Sequence, residues 1–216
     1  MESIRLHRGF TLIELMVVFT IIVTISMVVL TSQSSFNKTL ILSNTAYDIA
    51  LALRSSQTYG LGSRGLNNST VGTVTNAGYG LHFSNGSHDS FILFADTSPG
   101  ASCSTPDCRP GDYVYTSNAD AMIGQPYQIN NGITIKDFCA YAGSSVSCEY
   151  AHGGGLSSLD IVFARPNPDA HVSADGSSYN GGACITIASA SAPNGPYRFV
   201  SVAPSGEIAA NAAPCP

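Results

Sequence analysis

With 216 residues and a formal net charge of −5, the chain is long enough for one domain plus an extension, and too acidic to offer a general basic surface to a nucleic-acid backbone. Charged residues make up 11% of the sequence, against about 25% in an ordinary soluble domain, while 21 Gly and 11 Pro stand beside Ser, Thr and Asn tracts. Few charges and many turn formers point to an exported, β-rich body, and nucleic acid is not an expected partner.

The chain opens with Arg5 and Arg8, then runs from Phe10 to Leu30 with Glu14 as its only formal charge, then leaves through a polar stretch. A span of about 20 apolar residues at ~1.5 Å rise covers roughly 30 Å, the thickness of a bilayer core. Two arginines before the span and no comparable cluster after it place the start in the cytoplasm and the remainder outside. No small-residue cleavage site follows the apolar run at Leu30, Thr31 and Ser32, as a secretory signal would require. Glu14 is what a plain anchor leaves unexplained, because an ionised carboxylate within a span costs several kcal/mol on insertion scales unless it is paired or near the interface, and so asks for a partner.

Past the span, Leu42, Ala46, Ile49 and Leu53 recur at helical spacing. With no Pro before Pro99, one continuous helix is expected from about residue 10 to 59, ended by Gly60, Gly62 and Gly65, its apolar stripe packed on a sheet. Short alternating runs then read as strands at 79–84, 90–96, 113–116, 132–138, 159–164, 183–188 and 197–203. The last two are expected to form an antiparallel hairpin around Asn194 and Gly195. The fold class is therefore α+β, a long N-terminal transmembrane helix packed on an antiparallel sheet body that carries disulfides.

All six cysteines lie beyond residue 100 and none forms a CxxC pair, so disulfides in an oxidising compartment are expected. Local bridges, Cys103 with Cys108 and Cys139 with Cys148, are the simplest pairing, and Cys184 would then join Cys215; six cysteines formally allow 15 connectivities, and spacing alone does not choose among them. His82, His88, His152 and His171 lack finger-like spacing, so no metal is expected. Asp107, Asp112 and Asp120 lie in a Gly- and Pro-bearing region open to Ca²⁺, but EF-hand spacing is missing and turn chemistry explains them, as it does Asp175 before Gly176. No HExxH, GxSxG or GxxxxGK[ST] motif occurs, so neither an enzyme nor a cofactor is expected.

The run GFTLIE at residues 9–14, behind a cationic leader and ahead of an uninterrupted apolar helix, resembles the processing site of type IV pilins and type II secretion pseudopilins. That resemblance implies a type IV pilin-like fold and a cut between Gly9 and Phe10 by a prepilin peptidase. It also implies N-methylation of Phe10, and pairing of Glu14 with the terminal ammonium of a neighbouring subunit. The implied partners are other pilin or pseudopilin subunits, the peptidase and an inner-membrane assembly platform. The implied location is the bacterial cytoplasmic membrane, single-pass, with the C-terminal domain outside the cytoplasm and in a periplasmic or extracellular filament after assembly. The expected organisation is a leader at 1–9, a membrane and assembly helix at 10–31, its amphipathic continuation at 32–61 and a β-rich domain at 62–216. Residues 182–208 also resemble the closing strands of H-type minor pseudopilins, while 62–181 match no known pattern. The expected role is a minor structural subunit of a type II secretion pseudopilus or type IV pilus. The alternatives are a pilin-like adhesin or DNA-uptake tip subunit, which the acidic balance and the isolated Lys136, Arg165 and Arg198 oppose, and a membrane-tethered binding or enzyme domain.

Overall fold

A computed structural model of the chain describes residues 9–62, 64–68, 72–74, 76–98, 111–192 and 194–211. Two compact units are distinguished, residues 1–40 and 41–216. Helix α1, Leu12–Leu61, runs through 50 residues, matching the expected helix to within two residues at each end. Its first part is rich in Val and Ile, poor helix formers in water. In lipid the helix is nevertheless the one single-segment structure that pairs every backbone group.

Among the described residues fourteen strands follow: β1 Leu66–Asn68, β2 Gly72–Val74, β3 Gly78–Ser84, β4 Ser87–Asp96, β5 Ala121–Met122, β6 Tyr127–Gln128, β7 Ile133–Ala142, β8 Ser145–Cys148, β9 Ser158–Phe163, β10 Ala170–Ala174, β11 Ser177–Tyr179, β12 Ala183–Ser189, β13 Arg198–Val202 and β14 Ile208–Asn211. Strands β1 and β2 pair with each other. A seven-stranded sheet has the order β11-β10-β9-β3-β4-β5, with β6 also paired to β4. A five-stranded sheet has the order β14-β13-β12-β7-β8. Every pairing among the described residues is antiparallel, as expected.

Leu42, Ala46, Ile49 and Leu53 of α1 are buried in one cluster with Leu81, Phe83, Ile161 and Phe163 of the larger sheet and Ile185, Ile187, Val200 and Val202 of the smaller. Each fully buried Leu, Ile, Val or Phe side chain contributes about 1.5–3 kcal/mol of transfer free energy, so the stripe fastens this part of the helix to both sheets. Polar ties supplement it. Arg54 Nη2 donates to Ile208 O at 3.3 Å, and Gln57 Nε2 donates to Pro168 O and Gly206 O at 3.2 and 3.0 Å. Gly60 lies inside the helix rather than ending it: a Cβ there would stand 2.1 Å from the Phe163 carbonyl oxygen, so its missing side chain lets α1 lie against β9.

The expected hairpin of the last two strands is present as β12 and β13, with Ala183 opposite Val202 and Ile187 opposite Arg198. Asp175 and Gly176 are the two turn residues between β10 and β11, both at positive φ (48° and 74°), which a primed two-residue turn requires. The expected strand at 113–116 is absent. Positive φ at Gly111 (122°) and Tyr113 (62°) breaks the extended backbone there, and the N–H groups that would form a ladder go to aspartates instead. The strand expected at 132–138 continues to Ala142, because one extra residue in β7 lets it change which of its positions face the core.

Candidate functional site

Gly9 and Phe10 precede α1 and are both exposed, Phe10 at 79%. Thr11 caps the helix: its Oγ1 accepts the Glu14 N–H at 3.3 Å, and its carbonyl accepts the Leu15 N–H at 3.2 Å. The four residues Thr11 to Glu14 thus spell the T-x-x-E pattern of a capping box, a helix-start signal overlooked in the reading of the sequence. Glu14 sits in the first turn, where four backbone N–H groups lack intrahelical partners and the helix dipole is positive, so a carboxylate is stabilised there.

From Leu12 to Leu30 the helix has a mean hydropathy of 2.6, and none of that window is buried within the chain. At 1.5 Å per residue this is about 28 Å, enough to cross a bilayer core. The hydroxyls of Thr20 and Thr24 do not break the apolar surface, because they bond back to Met16 O at 2.6 Å and Thr20 O at 3.0 Å. The exposed segment therefore joins a small, unobstructed Gly-Phe junction, a carboxylate in the first turn and a helix that finds its apolar surroundings outside the chain.

The cysteines and aspartates belong to the body. Cys139 and Cys148 are directly opposite in β7 and β8 and form the expected bridge, with Cα atoms 4.0 Å apart. Cys184 is also disulfide-bonded and stands opposite Cys139 on the other side of β7. Cys103, Cys108, Cys215 and Asp107 lie outside the described residues. Asp120 is a backbone knot: Oδ1 accepts from Thr97 N, Ser98 N and Ser98 Oγ at 2.8, 2.9 and 2.6 Å, and Oδ2 accepts from Thr116 N at 2.7 Å. Asp96 likewise receives the N–H groups of Asp112 and Tyr113. Among the described residues, the one group of metal-capable atoms within 4.8 Å is Asp137 with Cys139 and Cys148, whose sulfurs are already bonded to each other.

Between them, Asp96 and Asp120 hold residues 111–116 as a strap beside the outer face of β3, β4 and β9. Tyr113 stacks on His171 at 3.9 Å, and Tyr115 packs against His82 at 4.6 Å and Phe94 at 5.1 Å. His82 Nδ1 lies 2.7 Å from Asp160 Oδ1. Burial raises the Asp160 carboxyl above its ordinary range, while His82 partly offsets the rise. Burial, reinforced by the Asp120 charge, pushes Asp96 up to about 8. These groups order a covering segment over a sheet face, and their pairings, between residues as far as 78 positions apart, have no local signature in the sequence.

Residues 4–30 match a family model described as the prokaryotic N-terminal methylation motif. No curated protein and no solved structure matches the chain. The match takes in the residues ahead of α1 from position 4 and the exposed span to Leu30, supports a pilin- or pseudopilin-type subunit, and together with the apolar helix fits a single-pass inner-membrane protein.

Proposed function

We propose that the chain is a minor structural subunit of a type II secretion pseudopilus or type IV pilus. It is made as a precursor, cut between Gly9 and Phe10 by a prepilin peptidase, methylated on Phe10, and drawn into a filament from an inner-membrane platform through its N-terminal helix. The observation that carries this reading is the coincidence, over residues 4–30, of the methylation motif with an exposed apolar span, Leu12–Leu30, whose only charge is Glu14. A carboxylate and an ammonium that are each costly in lipid attract strongly when paired there, so Glu14 sets the position of one subunit against the terminal amine of the next. The organisation follows: leader 1–9, membrane and assembly helix 10–31, its continuation 32–61 and an extracytoplasmic body 62–216. The hairpin of β12 and β13, continued by β14, supports the resemblance of residues 182–208 to an H-type minor pseudopilin.

The test is the intact mass and N-terminal peptide of the protein expressed with and without a prepilin peptidase. Loss of residues 1–9 and a methyl group on Phe10, only with the peptidase present, is the expected result. An uncleaved chain, or a cut after the apolar run, would overturn the proposal. Abundance in sheared filaments tests the minor role, which dominance of this chain would exclude.

A further inference from the structure

The surface of the body carries an open concavity of about 350 Å³ lined by His88, Thr134, Ile135, Tyr150, Ser189 and the exposed Lys136. The register of β7 builds it. Thr186 stands opposite Asp137 but Ile187 stands opposite Ile135, so Lys136 is the extra residue of a β-bulge. The core positions accordingly change parity, from Ile133 and Ile135 before the bulge to Phe138 and Ala140 after it. Lys136 and Asp137 in succession are left outside the core cluster, and bulges of this kind re-aim a side chain.

The groups around Lys136 are fixed. Asp137 accepts the N–H groups of Tyr150 and Ala151 at 3.1 and 3.0 Å, which sets the start of the turn that carries Tyr150. His88 Nε2 lies 2.7 Å from the buried Glu149 Oε1 and 3.3 Å from the Tyr150 hydroxyl. Lys136 differs: it has no hydrogen-bond or ion-pair partner among the described residues, and it is the only lysine after Lys38. The arginines of the body that are described are engaged, Arg54 on Ile208 O, Arg64 over the Tyr59 ring, Arg165 on Asn76 Oδ1 and Arg198 on Ser43 Oγ. An acidic chain thus places one unpaired lysine at a concavity also lined by Thr134, Tyr150 and Ser189, the last with its hydroxyl 3.0 Å from Ser191 Oγ.

We propose that this cavity binds a single carboxylate, with Lys136 as counter-charge and the neighbouring hydroxyls as hydrogen-bond donors. A dianion such as phosphate is disfavoured, because Glu149 and Asp137 stand close behind the rim and repel a second negative charge. The carboxylate belongs either to a small organic acid or to an acidic side chain of a protein segment, and the site is independent of how the N-terminus is processed.

Calorimetric titration of the full chain in detergent micelles tests this, with N-acetylglycine, its neutral amide, inorganic phosphate and an end-blocked peptide containing one Asp as probes. At least one carboxylate probe is expected to bind with Kd of about 1 mM or tighter, and the amide and phosphate about 10-fold more weakly. Binding of N-acetylglycine assigns the site to small acids as well, and binding of the peptide alone assigns it to a protein segment. Lys136→Met is expected to weaken binding about 10-fold with an unchanged melting temperature, and Lys136→Arg to stay within about 3-fold of the parent. Absence of carboxylate binding, preference for phosphate, or undiminished binding by Lys136→Met would overturn the proposal.

Discussion

The carboxyl group of Asp96 occupies the space that a side chain at Gly111 would need: a Cβ there would fall 2.1 Å from the Asp96 carboxyl carbon. This contact seats residues 111–116 against the end of β4, with Tyr113 N–H donating to Asp96 Oδ2 at 2.7 Å. Burial, then the charge of Asp120, raises Asp96 from 3.8 to about 8. A carboxyl whose folded-state pKa is raised stabilises the fold fully below its unfolded pKa and loses that contribution as pH rises through the folded value. Asp160 and Asp112 are shifted the same way, each mainly by burial. The melting temperature of the full chain in detergent is therefore expected to fall between about pH 4 and pH 8. Asp96→Asn is expected to flatten that fall without abolishing it. A melting profile of the variant parallel to the parent's across this range would show that Asp96 is not the group responsible.

Gly60 makes a sharper steric demand, since its missing Cβ would lie 2.1 Å from the backbone oxygen of Phe163, a residue paired in register with Tyr79 of β3. Gly60→Ala forces the helix away from the sheet and is expected to cost about 1–3 kcal/mol, as overpacking of a fitted core does. Gly9→Ala is the control, because nothing lies within 4 Å of the added Cβ and its stability is expected to be unchanged. Denaturant unfolding of the two variants beside the parent measures the difference. Equal midpoints would show that the α1 and β9 contact relaxes freely.

What was legible in the sequence was what local pattern controls. A Pro-free chain with an apolar run and a four-three-four stripe at Leu42, Ala46, Ile49 and Leu53 specified α1, and alternation specified the central strands. Asp175 and Gly176 announced a turn, although the short β10 and β11 on either side of it escaped notice. Tyr113 to Thr116 alternated like a strand yet serve as a strap, because the competing acceptors, Asp96 and Asp120, come from elsewhere in the fold. Lys136 stood out in the sequence only as an isolated basic residue, since a bulge is a property of two paired strands and only β12 reveals it. At the N-terminus Gly9, Phe10 and Glu14 stood out as a motif, while Thr11 was passed over because its capping role was masked by the apolar run it begins.

Cys139 sits between Cys148 and Cys184 across adjacent strands, and it bonds to Cys148. That bridge fastens the edge strand β8 to β7 and closes a short loop, with a sequence separation of 9. Loop-closure entropy for a ring of this size gives about 2–3 kcal/mol. The paired variant Cys139→Ser with Cys148→Ser is expected to lose about that much, while keeping the β7 and β12 pairing that residues such as Phe138 and Ile185 maintain. Hydrogen exchange separates the two effects: protection should fall at Val146 and Cys148 and persist at Ile185. Loss of protection throughout both strands would mean that the bridge holds the central sheet rather than its edge.

Glu14 gives the proposed function its most selective test, because processing and assembly make different demands on it. The Gly9 and Phe10 junction lies ahead of the Thr11 cap, so Glu14→Gln leaves the proposed cut site and the apolar span intact. It removes the negative charge that the proposed pairing with a neighbour's terminal ammonium requires. Glu14→Gln is thus expected to be cut and methylated at parental levels and retained in the membrane, yet to enter sheared filaments about 10-fold less. Thr11→Ala is the comparison, removing a cap worth about 1 kcal/mol but no charge, and is expected to assemble far better than Glu14→Gln. If Glu14→Gln entered filaments at the parental level, the carboxylate would be needed only for the first helical turn, and subunit register would have to come from the apolar surface alone.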